Sequence, residues 1–145
     1  MLLDKNIGKF RFSNDKSTLN VSYIHHYLST KSYWAKNIPI EVVHDSIDGS
    51  ICFGVYSQES QVGFARLITD NTTFAYLADV FIDESFRGQG LSKELMKQII
   101  EYINSKKLRR VMLATKDAQG LYQQFGFEVI PEPQKIMDIK FFEEY

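Results

Sequence analysis

The chain has 145 residues, 44% hydrophobic and 24% charged, a length suited to one domain with one core and a composition that excludes a disordered, collagen-like or coiled-coil chain. With 17 Lys+Arg against 18 Asp+Glu, the net charge of −1 supplies no attraction toward nucleic acid or an anionic membrane. The single cysteine, Cys52, allows no internal disulfide, and no Cys/His cluster has ligand spacing, so no metal site and a reducing, cytoplasmic setting are expected.

No internal repeat or linker-like tract divides the chain, so residues 1–145 are read as one domain. The opening run MLLDKNIGKF lacks the apolar stretch of a signal peptide, and no segment is apolar enough for a membrane span. Phe10 and Phe12, separated by Arg11, predict a short strand over residues 9–13. Leu19, Ile24, Tyr27 and Leu28 recur at helical spacing over residues 18–34, with Asn14, Asp15 and Ser17 as candidate caps. Pro39 opens a second helix carrying Val42, Val43 and Ile47, which Asp48-Gly49 ends.

Beyond that turn the period changes to two. Ile51, Phe53 and Val55 alternate, and Val62, Phe64 and Leu67 follow after a polar stretch, the pattern of a hairpin. Asp70-Asn71 marks a turn, and residues 73–82 are apolar on both faces, as expected of a strand inside a sheet. A helix with Leu91, Leu95, Met96, Ile99, Ile100 and Ile103 on one face follows. Strands are then predicted over residues 111–114, 127–130 and 135–142, with a short helix over 118–125 closed by Gly126. This order predicts an α+β domain, three layers built on a mixed sheet.

The strongest chemical signal is Arg87-Gly-Gln-Gly-Leu-Ser92, a glycine-rich turn feeding a helix, where unpaired backbone N–H groups and the positive helix end suit a phosphate. A dinucleotide fingerprint would need glycine at Lys93 and an acid near residues 108–110, and the mononucleotide loop G-x-x-x-x-G-K-[ST] is absent. What fits is R-x-x-G-x-[GA], preceded by the strand ending Ala78-Asp-Val-Phe-Ile-Asp83 and followed, past the next strand, by Gly120-Leu-Tyr-Gln-Gln-Phe-Gly-Phe127, similar to L-Y-x-x-x-G-F. Over residues 51–130 the chain resembles the GCN5-related N-acetyltransferase (GNAT) superfamily. It departs from the pattern at Ser92, where glycine or alanine is usual.

The resemblance implies a three-layer α/β/α fold whose mixed sheet splays at the central strand, and an acetyl-CoA-dependent N-acetyltransferase that needs no metal. The amides of Gly88, Gln89, Gly90, Leu91 and Ser92 would hold the pyrophosphate, with Arg87 as a flanking cation. The backbone of Val80, Phe81 and Ile82 would pair with the pantetheine arm like an added strand, with Thr115 touching the same arm. A backbone N–H at a bulge, that of Val80, would stabilise the oxyanion. Tyr122 is implied as general acid, since expulsion of a thiolate benefits from a nearby proton. Asp79, an acid in an apolar strand, is the candidate base through water and equally a candidate structural acid.

In this family the first two helices and their connection form much of the acceptor pocket, and Tyr33-Trp34 in that connection would either line it or staple the connection onto the core. Cys52 reads as core, and His25, His26 and His44 as surface or packing residues. The implied partner is an amine of a small molecule or peptide, with no nucleic acid and no membrane. The alternative is a catalytically silent CoA-binding or protein-interaction module on the same scaffold. The apolar tail strand offers an edge to its own chain or to another subunit, which leaves monomer and homodimer both open.

Overall fold

The structure, a computed structural model, describes residues 2–145. Six strands form one sheet in sequential order: β1 (Asp4–Ile7), β2 (Phe10–Ser13), β3 (Ile51–Ser57), β4 (Ser60–Thr69), β5 (Phe74–Ile82) and β6 (Arg110–Met112). All neighbours are antiparallel except β5 and β6, whose connection runs through the long helix α3 (Leu91–Lys106). Helices α1 (Val21–Lys31) and α2 (Ile40–Asp48) join β2 to β3, and the short α4 (Gln119–Gln123) follows β6.

Two apolar clusters show the three layers. Ile24, Leu28, Val43 and Ile47 pack with Cys52, Phe64 and Phe81 on one face of the sheet, whereas Leu95, Met96 and Ile99 of α3 pack with Phe12, Phe53, Val55 and Leu67 on the other. Alternation along each strand sends successive side chains to opposite layers, which is why neighbours such as Phe53 and Cys52 fall in different clusters. Cys52 is core as expected, and burial pushes its thiol up to about 11.

Local chemistry sets the helix boundaries. The Asn20 side chain accepts the Tyr23 N–H and starts α1. Its end comes earlier than the periodicity implied: the buried Ser32 hydroxyl donates to the Leu28 carbonyl and accepts the Ala35 N–H, turning Tyr33-Trp34 out of the helix. Within β4, between β3 and β5, the chain packs tightly at Gly63, where a Cβ would lie 2.7 Å from Ile82 Cδ1 and 3.1 Å from both the Phe81 oxygen and Val55 Cβ. Gly63→Ala should therefore destabilise the fold by about 1–3 kcal/mol through overpacking, read as a lowered urea midpoint at unchanged slope.

Three sequence expectations need correction. β1 was not expected: its residues DKNI are exposed throughout and carry no alternation, and the strand is held by pairing with β2 and by an Asp4–Arg11 ion pair. The segment 127–130 is not a strand. The Phe127 N–H closes the end of α4 on the Tyr122 carbonyl, and the Phe127 ring packs edge-on against Tyr122 at 5.9 Å. Residues 135–142 are not a strand either; a 3-10 turn, Pro133–Lys135, leads into the segment, whose residues lie exposed and pair with no other strand of the described residues.

Candidate active site

The sheet opens beside β5. β6 pairs only with Phe74–Tyr76, so from Leu77 to Ile82 β5 has β4 on one side and no strand on the other. Register against β4 slips between Phe64 and Arg66, leaving Asp79 and Val80 opposite the single residue Ala65. Asp79 takes φ 54°, a left-handed conformation that aspartate tolerates better than most residues. The bulge that no residue pattern reveals is therefore centred on Asp79 and Val80, at the point where the sheet splays.

One end of this opening is the 87–92 loop. Gly88 and Gly90 have φ 81° and 78°, and a Cβ on either would meet nothing within 4 Å, so backbone conformation and not crowding demands glycine there. The first bond of α3 to the loop is Glu94 N–H to the Gly90 carbonyl, and no side chain caps the helix. The amides of Gly88 to Ser92 thus stand without an acceptor among the described residues, at the positive end of a 16-residue helix. Arg87 lies differently from a free cation: its Nε donates to the Ile82 carbonyl at 3.1 Å and its terminal nitrogen to the Tyr27 hydroxyl at 2.8 Å. Tyr27 stacks on Phe81 at 3.8 Å, so Arg87 ties the loop to α1 and to the end of β5.

The other end is a cavity of about 490 Å³ bordered by Tyr33, Trp34, Asp79, Val80, Thr115 and Tyr122. Trp34 Nε1 donates to Asp79 at 2.7 Å, and Arg66 Nε donates to its other oxygen at 2.6 Å; the Asp79 and Arg66 side chains are 9% and 17% exposed. Arg66 also donates to the Ser50 hydroxyl, linking the bulge to the end of α2. The Tyr33 hydroxyl accepts the Lys116 N–H, and its ring packs edge-on against Trp34. The Thr115 hydroxyl accepts the Ala118 N–H and sets the turn into α4. Burial, with Tyr33 and Asp117 nearby, pushes the Tyr122 hydroxyl up to about 12.

Every residue implied for the cavity borders it, and the structure adds Arg66, Tyr76, Asp117 and Tyr145, which sequence reasoning missed. Arg66 carried a usable signal, a lone cation in an apolar strand, whereas the others come together only through the tertiary fold. His25 bonds the Ile38 carbonyl and serves packing. Among the described residues no acidic, histidine and cysteine cluster could hold a metal ion, and no helix is long and apolar enough to cross a membrane.

A glycine turn with free amides thus lies at one end of a splayed, bulged strand, and a cavity bordered by a buried tyrosine at the other. The sequence pattern of the acetyltransferase (GNAT) family matches residues 21–127. A Gibberella zeae protein bearing an acetyltransferase name is 33% identical over 135 residues, covering 79% of this chain and 76% of the relative. The crystal structure of a GNAT-family protein from Xanthomonas campestris pv. campestris superposes with a TM-score of 0.88 at 43% identity, over 93% of this chain and 95% of that one. A GNAT acetyltransferase of Elizabethkingia anophelis with acetyl-CoA bound shares the fold, with a TM-score of 0.65 at 16% identity over 86% and 79% of the two chains. The match spans α1 through the end of α4, taking in the loop, the bulged strand and Tyr122 alike, and places this chain in the GNAT family of acyltransferases.

Proposed function

We propose that the protein transfers the acetyl group of acetyl-CoA directly to a primary amine of a small molecule or peptide. The observation that supports this best is the unpartnered side of β5, which joins the free amides of the 87–92 loop to the cavity holding Tyr122. The fit of the cosubstrate rests on those amides and on the open space over Gly88 and Gly90, which admits a pyrophosphate to within hydrogen-bond reach. The pantetheine amides pair with the open side of Val80, Phe81 and Ile82, and the bulge turns a backbone N–H of Val80 toward the thioester oxygen.

Chemistry then follows from positions. The amine nitrogen attacks the thioester carbon, the Val80 amide receives the developing oxyanion, and collapse breaks the C–S bond with the Tyr122 hydroxyl giving its proton to the sulfur. The surplus ammonium proton leaves through water. Both Asp79 oxygens already accept hydrogen bonds, so Asp79 shares in that transfer only through its outer lone pairs; its larger part is to hold Arg66 and Trp34 around the cavity. Tyr33 and Trp34 supply an aromatic wall for the acceptor.

The direct experiment is thiol release from acetyl-CoA across a panel of small amines, amino acids and peptides. Amine-dependent release supports the reading; binding of CoA without release across the whole panel selects a silent binding module. Gly90→Val should weaken acetyl-CoA binding by tenfold or more, since a β-branched residue resists a left-handed conformation that costs about 1–2 kcal/mol. Calorimetric titration checks this, with thermal melting of the unliganded variant separating lost affinity from lost fold.

A further inference from the structure

Two aspartates border the cavity, and they stand in opposite conditions. The Asp79 side chain is nearly buried, and both its oxygens accept hydrogen bonds, one from Trp34 and one from Arg66. Asp117 is exposed, and its carboxylate makes no hydrogen bond or ion pair among the described residues. The cations that border the cavity do not pair with it either. Arg66 is held by Asp79 and Ser50, and Lys116 Nζ lies over the Tyr33 ring, 5.5 Å from its centroid.

The backbone that carries this free carboxylate is fixed on both sides. The Lys116 N–H donates to the Tyr33 hydroxyl at 3.0 Å, and the Ala118 N–H donates to the Thr115 hydroxyl at 3.1 Å. Asp117 is thereby held close enough to Tyr122 for its charge to help keep that hydroxyl protonated. The cavity's aromatic wall is equally well set. Trp34 is 41% exposed, its indole N–H is locked on Asp79 at 2.7 Å, and the Tyr33 ring meets it edge-on at 5.0 Å. A ring held in this way accepts a flat apolar group without losing side-chain freedom of its own.

We infer, on the acetyl-transfer reading, that Asp117 selects the acceptor: the cavity takes an arylalkylamine as its ammonium ion, which donates an N–H to Asp117 while its apolar body lies against Trp34. The nitrogen is thus delivered beside Tyr122, and neutral molecules of the same shape lack the contact that holds it there. Asp117 acts in recognition, while Asp79 keeps the wall in place.

Trp34 is the chain's single tryptophan, so its fluorescence reports occupancy of the cavity without any turnover. Phenethylamine should bind about threefold or more tighter than phenethyl alcohol, which has the same shape without the charge, and the gap should shrink in molar salt. Asp117→Asn should erase the gap and Asp117→Glu restore it, with thermal melting unchanged in both. Equal affinity of amine and alcohol in the wild type, a gap that survives Asp117→Asn, or a Trp34 signal that neither probe moves overturns the inference. Absence of thiol release with every amine would instead overturn acetyl transfer, and the difference in occupancy would still be read.

Discussion

Tyr122→Phe should lower kcat by about 10²–10⁴ while leaving acetyl-CoA affinity nearly unchanged, if its hydroxyl is the general acid proposed. The change removes one oxygen from a ring that is 9% exposed and packed against Phe127, so the aromatic contact persists and the fold should be preserved. What is lost, on the proposed mechanism, is the proton offered to the departing sulfur. Because burial lifts this hydroxyl to about 12, the acid form is fully present below about pH 11, and the wild-type rate should rise with pH as the amine deprotonates and show no alkaline fall below that point. The pH profile of kcat checks the sign, and an alkaline limb near pH 9 would show that a different group supplies the proton.

Asp79→Ala carries the largest expected cost to stability. It leaves the Arg66 guanidinium, 17% exposed, without its carboxylate and releases Trp34 Nε1. Breaking an ion pair of this kind by removing one partner costs about 3 kcal/mol, a drop in Tm of about 10 °C for a chain of this size. Arg66→Met on the same background should recover a large part of the loss, because the unpaired charge goes with it. If Asp79→Ala melts like wild type, the Trp34–Asp79–Arg66 chain does not organise the bulge. Asp79→Asn separates fold from chemistry: it keeps an acceptor for one donor, so activity falling much further than stability would assign Asp79 a direct share in proton transfer.

Much of this site is legible in the residues. The 87–92 loop is readable because its two glycines occupy the positions where positive φ is required, and the helix after it because its apolar face repeats without interruption. Asp79 stands out as a charge in an apolar run, but its partner does not, since the Arg66 pairing depends on a one-residue slip in register that leaves no mark on composition. Arg87 belongs to the motif, yet its hold on Ile82 and Tyr27 needs the loop folded against α1. Strands failed where pairing, and not pattern, decides. DKNI pairs without an apolar face, while residues 135–142 carry a strand's alternation and yet pair with no strand of the described residues.

The most direct measurement is the amide spectrum of nitrogen-15-labelled protein during titration with acetyl-CoA. Large shifts confined to Gly88 through Ser92 and to Val80 through Ile82, with Tyr122 responding and the far face of the sheet silent, are the expected result. Saturable binding that leaves those amides unmoved would contradict the account.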